Sequence, residues 1–278
     1  MDSSGLHYFG ARYYDSNLGR FFSVDPVASE PAYQYVSNNP MNFVDPSGMQ
    51  AEHYGSLMGL KNYVDSYAGG EDFEHTVQKG DTLSGISNKY STDMDHLLFS
   101  NPSIKDPSKI SIGQKITIPR YDLSKIQDTP FGEAVSRLGI TENSKDGVSN
   151  PVVDKMHSDV GYGQYTDDDA WCGAFMGTCL KETGLSIPSV AVRAKEYLSY
   201  GTKVSPKDVE LGDLLIFSRG GSSGHVGFYA GETKTHYLVL GGNQGNEVKH
   251  SLIPKDGHII DIDTKKKVHY KILDIRRP

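Results

Sequence analysis

The stretch Asp167-Asp168-Asp169-Ala170-Trp171-Cys172-Gly173-Ala174-Phe175-Met176-Gly177-Thr178-Cys179-Leu180 decides how the chain is read. Trp171, Phe175, Cys179 and Leu180 recur at the spacing of one helical face, and Gly184 follows as a natural C-cap. Thr166 and the three aspartates suit the cap and first turn of that helix. Cys172 therefore falls in the first turn, where unpaired backbone N–H groups and the positive end of the dipole favour the thiolate that a sulfur nucleophile needs. The aspartates act against this, because negative charge raises a thiol pKa. Cys179 lies about 10.5 Å further along the axis, so the two sulfurs cannot bridge within one helix and Cys179 reads as a core residue.

Two later segments supply what a nucleophilic cysteine requires. Gly212-Asp213-Leu214-Leu215-Ile216-Phe217 reads as a buried strand, the run Gly220 to Gly224 as a turn, and His225-Val226-Gly227-Phe228-Tyr229-Ala230-Gly231 as a second strand. A histidine at the mouth of an apolar strand is held firmly while one ring face stays accessible, as a general base must be. His236, His250, His258 and His269 sit instead among polar neighbours. Leu238 to Gly245 then reads as a strand ending in a turn with two amides, Asn243 and Gln244. An amide oxygen that accepts from the imidazole N–H fixes its tautomer, and Asn243, closest to the strand end, is expected to do so. Each residue also has a plain structural reading: a packing cysteine and a satisfied strand-edge histidine.

Composition bounds the rest. The 278 residues carry a net charge of −7 and 37% hydrophobic residues, which suits roughly two domains with a buried core. Two cysteines exclude a disulfide scaffold, and no Cys/His cluster has zinc-ligand spacing, so neither metal nor organic cofactor is expected. No apolar run is long enough to span a bilayer, and the opening MDSSGLHYFG lacks the basic and apolar regions of a secretory leader. The acidic balance argues against a nucleic-acid partner, and Lys265-Lys266-Lys267 reads as a solvated turn or tail.

Residues 75–119 follow a β-α-α-β order. His75 to Val77 alternates like a strand, Asp81 or Thr82 can cap a helix carrying Leu83, Ile86 and Tyr90, and a second helix runs from Asp93 to Phe99. Asn101-Pro102 stops it, Gly113 turns, and Lys115 to Ile118 closes the unit. Residues 1–49 hold nine aromatics between turn signals and are too few to bury them alone. Residues 50–73 read as a linker, and 121–149 as a second linker with one short helix on Phe131, Val135 and Leu138.

With its KGDTLSGIS and NPSI…IGQKITIP segments, the stretch 74–120 resembles a LysM module. The resemblance implies a glycan ligand, in peptidoglycan or chitin, held by Gly80, Asp81, Thr82 and Leu83 on one loop and Asn101, Pro102, Ser103 and Ile104 on the other. WCGAF, Gly212-Asp213, GHVGF and LVLGGNQG, in that order within residues 150–278, resemble an NlpC-type peptidase or CHAP amidase, compact relatives of papain. That likeness implies Cys172 as nucleophile, His225 as base, Asn243 as orienting residue and the Cys172 N–H as an oxyanion donor. Gln164, Tyr165 and Asp169 remain open as the side-chain donor. GLHYFGARYYDSNLGRFFSVDP and YQYVSNNPMNFVDPSGM resemble the end of an Rhs-repeat core. In that family a β-shell encloses a toxin and cuts itself, which would make Asp25 and Asp45 the carboxylate pair and place the cut after Met49. In a chain that starts inside the motif, both aspartates equally suit turns before proline.

The expected architecture is an α+β multidomain chain: a small βααβ LysM module, and a papain-like α+β domain whose Cys-bearing helix packs on an antiparallel sheet. The expected function is cleavage of cell-wall amide bonds, as amidase or endopeptidase, by an antibacterial toxin anchored through its LysM module. The resemblances further imply peptidoglycan, a cognate immunity protein, and the Rhs shell with its secretion apparatus as partners, and action in the periplasm or wall of a target bacterium. Two other classes fit the same residues: transglutamination, deamidation or acyl transfer on a protein target, and a non-catalytic wall-binding protein.

Overall fold

The computed structural model describes residues 71–90, 92–143, 149–260 and 267–278, together with short strands between positions 6 and 53. It divides into two units, Met1–Tyr63 and Val64–Pro278. In the first unit β1 (Leu6–Tyr8), β2 (Tyr13–Asp15) and β3 (Arg20–Phe21) form an antiparallel meander, and β4 (Phe43–Val44) pairs with β5 (Glu52–His53). The β4–β5 pairing crosses the expected boundary at 49, so Glu52 and His53 of the presumed linker lie in a strand. Asp25, Asp45 and Met49 lie outside the described residues.

In the second unit β6 (Phe73–Thr76), α1 (Leu83–Lys89), α2 (Met94–Ser100) and β7 (Lys115–Ile118) follow the expected order, with β6 and β7 paired antiparallel. Thr82 caps α1, its Oγ1 accepting from the Gly85 N–H at 3.1 Å, and Asp93 caps α2 through the His96 N–H at 2.9 Å. Val77, Leu83, Ile86, Leu97, Ile116 and Ile118 close a core of their own.

The expected linker 121–149 is instead part of the following domain. It carries α3 (Leu123–Ile126) and α4 (Pro130–Ser136), the latter capped by Thr129 with Pro130 in its first turn. Phe131, Ala134 and Val135 are buried, and Phe131 meets Phe228 edge-on with ring centroids 6.0 Å apart. The apolar stripe that identifies the helix is thus also what attaches it to the sheet. Beyond it come α5 (Pro151–Asp159) and α6 (Cys172–Glu182).

The sheet is antiparallel with six strands in the order β12 (Lys249–Pro254), β11 (His236–Gly241), β10 (Gly224–Glu232), β9 (Leu214–Ser218), β15 (Lys271–Arg277) and β8 (Thr202–Lys203). A separate hairpin joins β13 (His258–Ile260) to β14 (Lys267–His269). Leu214, Ile216, Val226, Phe228 and Leu240 share the helix-packed face by register, while Leu215, Phe217, Val239, Ile253 and Ile275 cluster on the other. The Gly-Asp pair before β9 serves the sheet. Asp213 is buried, accepts two bonds from the Arg277 guanidinium at 2.8 and 2.9 Å, and accepts from the Glu210 N–H at 2.8 Å. It ties the last strand to the start of β9.

Candidate active site

Cys172 is the first residue of α6, with Trp171 at the N-cap. No side chain caps the helix and no acidic residue lies in its first turn, which corrects the expected role of the aspartates. Asp167 is buried and serves the preceding loop, accepting from the backbone N–H groups of Asn143 and Asn150 at 2.7 and 2.8 Å and from the Ser149 hydroxyl at 2.8 Å. Asp169 accepts from the Thr166 N–H at 3.0 Å. Gly173 explains the small residue after the cysteine: a Cβ there would stand 2.5 Å from the carbonyl oxygens of Ala191 and Val192. The Tyr197 hydroxyl seals this junction, donating to the Gly173 carbonyl at 2.8 Å.

The start of α6 is packed against β10, the strand that carries His225. Cys172 is 6% exposed, and the backbone N–H groups of Val226, the residue after His225 on β10, and of Gly173 favour its thiolate. Burial dominates and pushes the thiol pKa up, although both N–H groups and the Arg219 guanidinium favour the thiolate. His225 is 3% exposed and held down to about 4, first by burial and then by Arg219. At neutral pH the Cys172 thiol and the His225 imidazole are therefore each neutral.

The amide that reaches the imidazole is Gln244. Its Oε1 lies 3.2 Å from His225 Nε2, whereas Asn243 forms the turn, with φ of +54°. This corrects the expectation for Asn243, which rested on proximity along the chain. A backbone in the left-handed region turns the chain, and the next side chain is the one folded back under the strand. The Gln244 amide nitrogen donates to the carbonyls of Val239, at 3.0 Å, and Lys249, so its oxygen must face the ring. An amide oxygen only accepts, which puts the imidazole proton on Nε2 and leaves the Nδ1 lone pair free to take a proton.

Two side chains that sequence reasoning passed over frame this pair. The Tyr270 ring lies 5.9 Å from the His225 ring and 6.1 Å from Phe217, and the exposed Arg219 guanidinium stands 5.1 Å over Tyr270. Arg219 sits in the turn between the two motif strands, and Tyr270 lies beyond the last motif, so spacing from Cys172 or His225 could not reveal either. Of the open oxyanion candidates, Asp169 is committed to Thr166, Tyr165 packs edge-on against His157, and Gln164 is exposed. Cys179 is fully buried with its thiol pushed up to about 12, an inert core group.

In the LysM unit the expected ligand residues divide. Gly80, Thr82, Pro102 and Ser103 are exposed and Ile104 is half-buried. Leu83 belongs to the core, and Asp81 braces the turn by accepting from the Gln78 N–H at 2.7 Å and pairing with His75 at 2.8 Å. Asn101 is buried, and its amide spends its bonds on Leu97 O, Thr117 O and Thr117 N at 2.8, 2.7 and 2.8 Å. Asp81, Leu83 and Asn101 thus shape the loops from behind. No group of His, Cys, Asp and Glu able to hold a metal ion occurs among the described residues. No helix among them is long and apolar enough to cross a membrane.

Comparison with known proteins matches two stretches of the chain to families. Residues 75–119 match the LysM domain and residues 161–269 the NlpC/P60 family. The chain is an α+β multidomain protein with a LysM domain followed by an NlpC/P60 domain. It is 37% identical over 75 residues to an endolysin of Bacillus phage B103, covering 27% of this chain and 28% of that protein. It is 43% identical over 51 residues to toxin subunit YenC2 of Yersinia entomophaga, covering 17% of this chain and 5% of that one. Secreted LysM effector ECP6 of Passalora fulva is 40% identical over 45 residues, 16% of this chain and 20% of that protein. The chain thus spans less than a third of the length of each of these relatives.

Proposed function

We propose that the chain is a cysteine hydrolase of peptidoglycan amide bonds, with Cys172 as nucleophile, His225 as base and Gln244 as its orienting residue. The observation that carries this is the tautomer of His225, fixed by Gln244 Oε1 at 3.2 Å from Nε2, on the strand whose next residue, Val226, offers a backbone N–H that favours the Cys172 thiolate. As a wall amide enters, His225 Nδ1 takes the thiol proton while sulfur attacks the carbonyl carbon. The Cys172 N–H at the start of α6 stabilises the oxyanion, and His225 returns the proton to the leaving amine. Water then hydrolyses the thioester with His225 again as base. The chemistry uses no metal or organic cofactor.

The LysM domain would hold the glycan through the exposed loops at Gly80 to Thr82 and Pro102 to Ile104. The likeness to an endolysin supports a wall-directed role, and that to a toxin subunit supports a toxin role. On this reading the first unit is a remnant of an Rhs core, the enzyme reaches the periplasm or wall of a target bacterium through a specialised secretion system, and the producer holds an immunity protein. Mass spectrometry of digested sacculi tests the reaction: new amine termini with the wild type and none with Cys172→Ala are expected. Unchanged sacculi together with modification of a wall-free protein would refute it in favour of acyl chemistry on proteins.

A further inference from the structure

The LysM and NlpC/P60 domains belong to one compact unit, and the contacts between them are specific. β12 is an edge strand of the catalytic sheet, and an edge leaves alternate N–H groups unpaired. Two of these, on His250 and Leu252, donate to the carboxylates of Asp93 and Asp95 at the start of α2, each at 3.0 Å. Asp93 does three things at once: it caps α2 through the His96 N–H, accepts from the His250 N–H, and pairs with His250 Nδ1 at 2.5 Å. The other nitrogen of the His250 ring meets the Tyr121 hydroxyl at 2.8 Å. His96 lies over His250 and Tyr121, with ring centroids 4.3 and 5.1 Å apart. Tyr121 in turn packs edge-on against Phe131, whose far side meets Phe228 in the sheet core. Further along α2 the Phe99 ring covers Gly231, where a Cβ would stand 2.9 Å from it.

A buried carboxylate and imidazole lose their hydration, and the loss is offset only while every partner stays in place. An aspartate–histidine pair of this kind is therefore a fastening, in contrast to the exposed polar surface of a module on a free tether. The loops expected to hold glycan lie at the ends of α1 and α2, and exposed Gly80, Thr82, Pro102 and Ser103 are not used in the docking.

We infer that Asp93 and His250 are positioning residues that clamp the LysM domain to the catalytic sheet, so that the gripped glycan and the Cys172–His225 pair keep a fixed offset and the clamp selects which stem peptide along a strand is cut. This rests on the function proposed above and adds the register of the substrate. It makes the LysM domain a template for the cut as well as an anchor.

The test uses the full chain and two variants that open the clamp from opposite sides, Asp93→Ala and His250→Ala. Rotational correlation times measured by NMR are expected to give one common value for both domains in the wild type and two distinct values in each variant. Binding of an N-acetylglucosamine oligomer and hydrolysis of a soluble stem peptide are expected to stay within about twofold of wild type. Release of products from intact sacculi is expected to fall about tenfold with a broadened product pattern, because the effective concentration set by the fixed offset is lost. Independent tumbling of the two domains in the wild type would overturn the clamp. So would variants that tumble as two bodies yet digest sacculi with wild-type rate and products. A wild type that tumbles as one body but cuts neither sacculi nor soluble peptide would remove the hydrolase function and with it the register, leaving the docking itself standing.

Discussion

Gln244 and Asn243 are neighbours of similar chemistry with sharply different surroundings, and replacing each in turn separates the tautomer argument from mere proximity. In Gln244→Ala, His225 Nε2 loses its acceptor, at 3.2 Å, and the carbonyls of Val239 and Lys249 lose a shared donor in a buried site. The imidazolium formed during attack is then deprived of a hydrogen bond to a charged group, worth about 1.5–3 kcal/mol. At about 1.4 kcal/mol per factor of ten, kcat/KM on a stem-peptide amide should fall by roughly 10–150-fold. The orphaned carbonyls should lower stability by a further 1–3 kcal/mol or so, read by chemical denaturation.

Asn243→Ala leaves the ring untouched and costs only what a left-handed residue costs without its asparagine, about 1 kcal/mol. Its kcat/KM should stay within about twofold of wild type. Gln244→Glu supplies a control: it keeps an acceptor for His225 but turns a carboxylate oxygen towards two carbonyls, so it should be less stable than wild type. The reasoning is refuted if Gln244→Ala retains full kcat/KM while Asn243→Ala abolishes it.

Alkylation of Cys172 by iodoacetamide should be slow at neutral pH and accelerate only above pH 9, since burial raises its pKa; a rate already at plateau below pH 7 would mean a resting ion pair. The acid limb of kcat/KM should fall near the His225 value of about 4 and move up in Arg219→Ala, because the guanidinium disfavours the imidazolium; an unmoved limb in that variant would contradict the assignment. Gly173→Ala should cost about 1–3 kcal/mol and displace Cys172, because backbone oxygens at 2.5 Å cannot yield without moving α6; wild-type melting and activity would count against the packing described. Asn101→Ala should lower the melting temperature of the LysM domain through three lost backbone bonds, whereas Ser103→Ala should leave it unchanged, and equal effects would make Asn101 a surface residue.

Much of this was legible before any coordinates. The LysM elements were readable because capping residues, turn glycines and apolar spacing agree: Thr82 and Asp93 cap the helices, and Gly113 turns with φ of +84°. The helix from Cys172 and its end at Gly184 followed from one apolar stripe. What was not legible depends on contacts between distant segments. The stripe Phe131, Val135 marks a helix but does not say what covers it, so a packed element passed for a linker. The three aspartates have the composition of a helix cap, yet Asp167 is drawn to Ser149 and the backbone of Asn143 and Asn150. His250 was set aside for its polar neighbours, although Asp93, Tyr121 and His96 reach it from far along the chain.

The protonation of the cysteine shows which effect wins when sequence and environment compete. The helix terminus offers the thiolate up to about 1–2 kcal/mol, and the Val226 and Gly173 N–H groups with Arg219 add to it. Burial of Cys172, a residue only 6% exposed, outweighs them all. The same enclosure keeps His225 neutral and hence a competent acceptor, so the two burial effects are complementary: neither group is charged until both are. On the proposed mechanism, charge separation would then be supported by the oxyanion formed at the same moment, which would place activation of Cys172 in the attack itself. On the proposed mechanism the Val226 N–H, which favours the thiolate, would support the negative charge that appears on sulfur when the Nδ1 lone pair takes the proton.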